Sequence, residues 1–127
     1  MTVTRTYFML DVADMTRAVD FYRKVLGPVV IRHESESWSE LKVGETTVAL
    51  HASTTPTPKV TALAIEVEDL RACYDAVLRH GGQVLVGPIT EPNGHLSYEV
   101  ADTEGNTFTL ASAIPLPPIA PAPDALG

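Results

Sequence analysis

Residues 12–27 read Val-Ala-Asp-Met-Thr-Arg-Ala-Val-Asp-Phe-Tyr-Arg-Lys-Val-Leu-Gly, and this stretch decides the fold. Asp14 is suited to cap the start of a helix, because its carboxylate can accept unpaired backbone N–H groups of the first turn. Apolar residues then recur at helical spacing, at Met15, Ala18, Val19, Tyr22 and Leu26. Gly27 follows, and glycine commonly ends helices. The stretch therefore predicts an amphipathic helix that begins after Asp14.

The chain contains this arrangement twice. Residues 7–15 read Tyr-Phe-Met-Leu-Asp-Val-Ala-Asp-Met, and residues 62–70 read Ala-Leu-Ala-Ile-Glu-Val-Glu-Asp-Leu. Each segment is a short apolar strand followed by an acidic residue, valine, one variable residue and aspartate. We therefore expect Asp69 to cap a second helix, which the pair Gly81-Gly82 ends.

Three predicted strands follow each helix. They are Val29–His33, Trp38–Val43 and Thr46–His51 in the first half, and Gln83–Val86, Leu96–Val100 and Asn106–Ala111 in the second. The order βαβββ thus occurs twice, which predicts an α+β fold of two tandem βαβββ modules, at about residues 5–52 and 60–112. A Thr- and Pro-rich linker joins them. Residues 113–127 form a proline-rich C-terminal tail, because proline lacks an N–H and is disfavoured in helices and central strands.

Length and charge narrow the classes of function. The 127 residues, 45% of them hydrophobic, suffice for one compact domain, which we assign to residues 1–112. The formal net charge of −7 would repel nucleic acid and an anionic membrane surface. No apolar run approaches the ~20 residues of a membrane span, and the first residues lack a signal-peptide core, so we expect a cytoplasmic protein. The single cysteine, Cys73, excludes an internal disulfide.

The two modules resemble the vicinal oxygen chelate superfamily, which contains glyoxalase I, extradiol dioxygenases, fosfomycin-resistance enzymes and the bleomycin-resistance binding proteins. Three stretches carry the resemblance over residues 5–112. They are residues 12–27, the sequence Val67-Glu-Asp-Leu followed by His80-Gly-Gly-Gln, and the turn Asp102-Thr-Glu-Gly-Asn. The resemblance implies curled sheets around a cleft, and a homodimer in which two modules, often from different subunits, enclose each cleft. It specifies the fold more than the activity, because the superfamily covers many reactions.

In the metal-dependent members of this superfamily, His, Gln or Glu ligands stand at the start of each module's first strand and in its last strand. The matching positions here are Tyr7, Ala49, Ala62 and Thr109. Alanine has no donor atom and neutral hydroxyls are poor ligands, so this set does not suit a transition metal. The resemblance therefore points to the metal-free branch, similar to bleomycin-resistance protein, with no cofactor.

Strand alternation predicts which side chains line the cleft. We expect the ligand to contact Tyr7, Met9, Asp11, Trp38, Ala49, His51, Ala62, Glu66, Thr107 and Thr109. Small residues at the former metal positions would leave room for a flat ligand. Trp38 and Tyr7 could stack on an aromatic or cationic ligand, or Trp38 could be an ordinary core residue.

Asp11 and Glu66 occupy equivalent positions in the two modules. They could bind a ligand cation or act as acid and base. Alternatively, they could be rim residues, solvated or paired with Arg5, Arg32 or Lys59. The sequence does not choose between these alternatives.

Three functions are consistent with this pattern. The first is a metal-independent binding protein of the bleomycin-resistance type, which sequesters a hydrophobic or cationic natural product or drug in a dimer cleft and so confers antibiotic resistance. The second is a metal-free isomerase, cyclase or lyase whose catalytic residues are Asp11, Glu66 and His51. His51 could equally be an exposed histidine at a strand end. The third is a glyoxalase- or dioxygenase-like metalloenzyme with a displaced site.

Overall fold

The computed structural model describes residues 1–27, 29–32 and 34–116, and in these ranges it contains two helices and eight strands. The first module consists of β1 (Phe8–Val12), α1 (Met15–Leu26), β2 (Val30–Arg32), β3 (Trp38–Val43) and β4 (Thr46–Ala52). The second consists of β5 (Val60–Val67), α2 (Leu70–Arg79), β6 (Gln83–Thr90), β7 (Leu96–Ala101) and β8 (Thr107–Ser112). The predicted α+β fold of two tandem βαβββ modules is confirmed.

Each module forms one four-stranded sheet, and the two sheets have the same topology. The strand order is β1-β4-β3-β2 in the first and β5-β8-β7-β6 in the second. The first strand of each module runs parallel to the last, and the other neighbours are antiparallel. The repeat visible in the sequence is therefore a repeat of strand order and direction as well.

Both helices begin where the sequence predicts. Asp14 and Asp69 each accept a hydrogen bond from the backbone N–H three residues later, at 3.0 and 2.9 Å. Glycines with positive φ follow both helices, Gly27 at 78° and Gly81 at 90°. No helix of the described residues is long and apolar enough to cross a membrane.

The core lies between the two modules, on the side of each sheet that the helices cover. The helices α1 and α2 pack against each other, and the Tyr22 ring of α1 lies 6.0 Å from the Phe108 ring of β8. Gly82 allows this close packing, because a Cβ atom there would lie 2.8 Å from both Phe21 and Val77. Buried residues of both modules form one continuous cluster. The sheet sides that point away from the helices stay outside this core.

Buried polar contacts also join the modules. The Tyr22 hydroxyl of α1 donates to Asp102 Oδ2 in the turn before β8, at 2.5 Å. Burial raises the pKa of the Asp102 carboxyl, although hydrogen bonds from Tyr22 and from nearby backbone N–H groups act in the opposite direction. Glu104 of the same turn accepts from Arg17 Nε at 2.8 Å. The turn of residues 102–106 thus links the second module to α1 through hydrogen bonds.

The linker between the modules, residues 53–59, is held at several points. The Thr57 N–H donates to Asp11 Oδ2 at 3.0 Å, and the Lys59 N–H donates to Asn106 Oδ1 at 2.8 Å. Asn106 Nδ2 in turn donates to the backbone carbonyl of Asp11 at 3.0 Å. The linker therefore follows the surface of both modules.

The sixth strand is longer than predicted. The sequence pattern predicts its end at Val86, but β6 continues to Thr90 through a cis Gly87–Pro88 peptide bond. Gly87 has φ of 122°, and a Cβ atom there would lie 2.8 Å from the Tyr98 ring. Pro88 predicts the end of a strand, because proline cannot donate a hydrogen bond to a neighbouring strand.

Two other predictions extend past the described residues. The strand predicted over residues 29–33 is observed as Val30–Arg32, and His33 lies outside the described residues. Residues 117–127 of the predicted tail also lie outside them. Of the tail's first residues, Leu116 donates its backbone N–H to the Gly94 carbonyl at 3.1 Å.

Candidate functional site

The side of the first sheet that points away from α1 carries six of the predicted ligand contacts. In the strand register, Met9 and Asp11 of β1 lie beside Ala49 and His51 of β4, and Trp38 of β3 lies beside His51. Residues paired across neighbouring strands project to the same side of a sheet. We call this surface face 1, and it consists of Tyr7, Met9, Asp11, Trp38, Glu40, Ala49 and His51.

Three rings form a cluster on face 1. The Tyr7 and Trp38 centroids are 5.9 Å apart with an interplanar angle of 88°, and the Trp38 and His51 centroids are 6.2 Å apart at 61°. These edge-to-face arrangements are favourable for aromatic rings. Tyr7 is 43% exposed and Trp38 is partly buried. The structure therefore places Trp38 on the open side of the sheet and not in the core.

The centre of face 1 holds a carboxylate that the sequence analysis missed. Glu40 lies beside Ala49 in the register, and its side chain is 4% exposed. Trp38 Nε1 donates to Glu40 Oε2 at 2.9 Å. Arg5 Nη1 and Nη2 donate to the two carboxylate oxygens at 2.5 and 3.1 Å. The Arg5 guanidinium also lies over the Tyr7 ring, 4.8 Å from its centroid.

The two-residue period of a strand could have predicted that Glu40 lies on face 1. If Trp38 faces the cleft, the residue two positions further along the same strand faces it too. Glu99 is the equivalent residue of the second module, since it pairs with Thr109 as Glu40 pairs with Ala49. Arg5, considered above as a partner for Asp11 or Glu66, is thus paired with a third carboxylate.

Asp11 and His51 lie side by side at the edge of face 1. His51 Nδ1 is 3.6 Å from Asp11 Oδ1, and the Thr57 backbone N–H donates to Oδ2 at 3.0 Å. The hydrogen bond from Thr57, supported by the nearby charge of Lys59 and by His51, lowers the pKa of the Asp11 carboxyl. Asp11 is therefore ionised at neutral pH and is a weak proton acceptor.

The remaining predicted contacts lie on the second sheet. We call its open side face 2, and it consists of Ala64, Glu66, Glu99, Thr107, Thr109 and Ala111, which the register places side by side. Ala62 lies within an irregular part of β5 and is exposed. Within the described chain, the Thr107 hydroxyl is buried without a hydrogen-bond partner. Asp11 and Glu66 therefore stand on separate faces.

The residues at the family's metal positions do not fit a metal ion. The four positions hold Tyr7, Ala49, Ala62 and Thr109, none of which offers an imidazole or a carboxylate. Across residues 1–27, 29–32 and 34–116, no three His, Cys, Asp or Glu side chains are grouped closely enough to hold a metal. Glu40 stands beside one former ligand position, and it accepts hydrogen bonds from Arg5 and Trp38.

The repeated module, the shared strand order and the open faces define the class of protein. Residues 5–110 match the family model of the Glyoxalase/Bleomycin resistance protein/Dioxygenase superfamily, and the chain belongs to that superfamily. A comparison with curated protein sequences finds no match.

Solved structures share the fold at low sequence identity. The hypothetical protein SA1046 from S. aureus is 19% identical with a TM-score of 0.72, covering 89% of this chain and 96% of that chain. A glyoxalase/bleomycin resistance protein/dioxygenase family enzyme from Burkholderia phytofirmans PsJN is 18% identical with a TM-score of 0.70, covering 85% and 97%. The genomically encoded fosfomycin resistance protein FosX from Listeria monocytogenes is 9% identical with a TM-score of 0.71, covering 89% and 95%.

Proposed function

We propose that this chain is a metal-independent binding protein, which holds a flat apolar or cationic small molecule against face 1. The observation that carries the proposal is the edge-to-face contact between Trp38 and Tyr7, next to the Glu40 carboxylate. This cluster lies where metal-dependent members of the superfamily hold metal ligands, which this chain lacks. Aromatic rings offer flat apolar area and attract cations, and a carboxylate fixes the orientation of a cation. Sequestration of a natural product or drug in this way would confer resistance to it.

We further propose that a second copy of the chain closes the site. On face 1, Tyr7 and Met9 are 43% and 49% exposed. On β6, Val86 and Ile89 are 46% and 40% exposed and pair with β7 residues of the face 2 side. Face 2 of a partner, laid over face 1, would bury these apolar side chains and enclose a ligand from both sides.

Metal content is the first test of this function. We expect protein purified without added metal or chelator to contain no stoichiometric metal, and not to reload with Fe²⁺, Mn²⁺, Ni²⁺ or Zn²⁺. The reason is the donor chemistry of Tyr7, Ala49, Ala62 and Thr109. Near-stoichiometric, reloadable metal would contradict the proposal and indicate a rebuilt metal site.

Ligand binding is the second part of the same test. Proflavine, a planar cation, should quench the fluorescence of Trp38, the single tryptophan, in a saturable manner. By calorimetry, Trp38→Ala should weaken proflavine binding by about tenfold, since buried tryptophans dominate such contacts. Tyr74→Phe is the matched control, because Tyr74 of α2 contacts Tyr98 and not face 1. Equal affinity of the Trp38→Ala variant and the wild type would remove face 1 as the binding site.

The contact between Asp11 and His51 favours one alternative, a metal-free isomerase, cyclase or lyase. The lowered pKa of Asp11 makes it a poor general base, so His51 would move the proton while Asp11 holds the ring. Glu66 would have to come from the partner's face 2. Turnover that is lost in His51→Gln and Asp11→Asn, with ligand binding retained, would favour the enzyme. Turnover unchanged in both variants would exclude these residues from catalysis.

A further inference from the structure

The Arg5 guanidinium occupies a binding arrangement on face 1 that a ligand could use. We infer that Glu40, Trp38 and Tyr7 form a subsite for the guanidinium or amidinium group of a ligand, and that Arg5 of the same chain fills this subsite until such a ligand displaces it. The inference rests on the proposed function and narrows its ligand to one chemical class.

Glu40 supplies the charge and the geometry of the subsite. Its side chain is 4% exposed, and an interior carboxylate is costly unless a cation and hydrogen bonds compensate it. The two carboxylate oxygens accept hydrogen bonds from Nη1 and Nη2 of the Arg5 guanidinium, at 2.5 and 3.1 Å. The hydrogen bond from Trp38 Nε1 holds one oxygen in place at 2.9 Å. Planar cations with two parallel N–H groups match this arrangement, whereas an ammonium does not.

The aromatic rings supply the second contact. The Tyr7 ring lies 4.8 Å from the Arg5 guanidinium carbon, within the range of a cation–π interaction. Trp38 packs edge to face against the Tyr7 ring, with the two ring centroids 5.9 Å apart. The side chains that would receive an aromatic amidine are therefore oriented before it arrives.

Arg5 lies on a segment whose backbone belongs to no helix or strand. This segment, residues 1–7, precedes β1 and is exposed. The Arg5 side chain is 51% exposed although it covers Glu40. A ligand guanidinium that takes the place of Arg5 would make the same two hydrogen bonds to Glu40 and the same contact with the Tyr7 ring. Glu40 would therefore keep a cationic partner after the exchange. Because Arg5 is tethered beside the subsite, it competes at a high effective concentration and lowers the apparent affinity of the ligand.

Benzamidinium tests this exchange, with uncharged benzamide as its isosteric control. By calorimetry, we expect Arg5→Ala to bind benzamidinium about tenfold more tightly than the wild type, because the internal competitor is gone. Benzamide should bind neither protein measurably. Glu40→Gln in the Arg5→Ala background should abolish the gain. Arg79→Ala is the matched control, since Arg79 in the last turn of α2 is exposed and lies on neither face, so its removal deletes one positive charge without changing the subsite.

Three results would overturn the subsite: no gain in affinity in Arg5→Ala, an equal gain in Arg79→Ala, or a gain that persists when Glu40→Gln is added. If Arg5→Ala does not fold, the wild type still decides the question by NMR. Benzamidinium should move the Arg5 Nε–H resonance to the position of a free arginine, and an unmoved resonance at saturation would contradict the exchange. Saturable proflavine binding without these effects overturns the subsite alone, whereas no binding of either compound overturns the proposed function too.

Discussion

Glu104 is the residue through which the turn before β8 holds the first helix. Its side chain is 1% exposed and accepts from the backbone N–H groups of Ala13 and Asp14, at 2.9 and 3.0 Å, and from Arg17. Burial raises the pKa of the Glu104 carboxyl, but hydrogen bonds from Arg17, from Thr103 and from the backbone outweigh it and lower the pKa to about 2. The two modules are thus joined by a carboxylate that remains charged.

Glu104→Gln removes this charge at nearly constant size. We expect the free energy of unfolding at pH 7 to fall by about 2 kcal/mol, because the donors of Ala13, Asp14 and Arg17 lose their charged acceptor. The folded-state pKa lies below the ordinary value of 4.5, so the stabilisation is complete above pH 4.5 and is lost as the pH falls towards 2. Urea titrations at several pH values should show the gap between wild type and variant narrowing in acid.

The exposed ion pair between Arg23 and Glu34 provides the control for that experiment. Both side chains are nearly half exposed, at 46% and 44%. Glu34→Gln should therefore cost less than about 1 kcal/mol. A gap for Glu104→Gln that stays constant down to pH 2 would show that the Glu104 charge does not join the modules.

At the scale of elements, each helix begins after one aspartate, and buried and less buried residues alternate along strands such as β8. These signals are local, so the sequence alone was enough to predict the helix starts and the order βαβββ. The pairing of Arg5 with Glu40 was not predictable in this way, because 35 positions separate them and Arg5 belongs to no regular element. Trp38 was left open between core and cleft, since only the register with β4 shows that it shares a side with His51.

Substitution of the capping residues tests the local signal. Asp14→Ala and Asp69→Ala should each lower the free energy of unfolding by about 1 kcal/mol, because one N–H of the first turn loses its acceptor. Asp→Ser at the same positions should restore most of the loss. Glu68→Ala, one residue before the second cap, is the control. Chemical denaturation followed by circular dichroism measures all five variants, and losses no larger than the control's would refute the assignment of the caps.

At the scale of the whole molecule, the packing of helix on helix determines which sides of the two sheets stay open. Because the helices and the core lie between the modules, face 1 and face 2 are both left uncovered in one chain. Exposed apolar side chains on an open sheet face, such as Met9 of the edge strand β1, are typical of surfaces that another chain covers. This packing supports the proposed dimer.

A charge on face 1 tests the dimer. Met9→Glu should raise the dimer dissociation constant by at least about tenfold, because a further carboxylate would be desolvated at the interface among Asp11 and the Glu66 and Glu99 side chains of face 2. Sedimentation of a dilution series measures this change. Leu78→Glu is the matched control, since Leu78 of α2 is 51% exposed but lies on neither face. A monomeric wild type, or an equal effect of both glutamates, would refute the dimer.

The linker of residues 53–59 does little to hold the halves together. Its backbone is fixed to Asp11 on one module and to Asn106 on the other, while the buried cluster runs across both modules without it. If the peptide bond after Thr54 were cut, the two fragments would meet as the subunits of a heterodimer do, through an interface already complete. Covalent linkage of this kind then mainly fixes a one-to-one stoichiometry of the two halves.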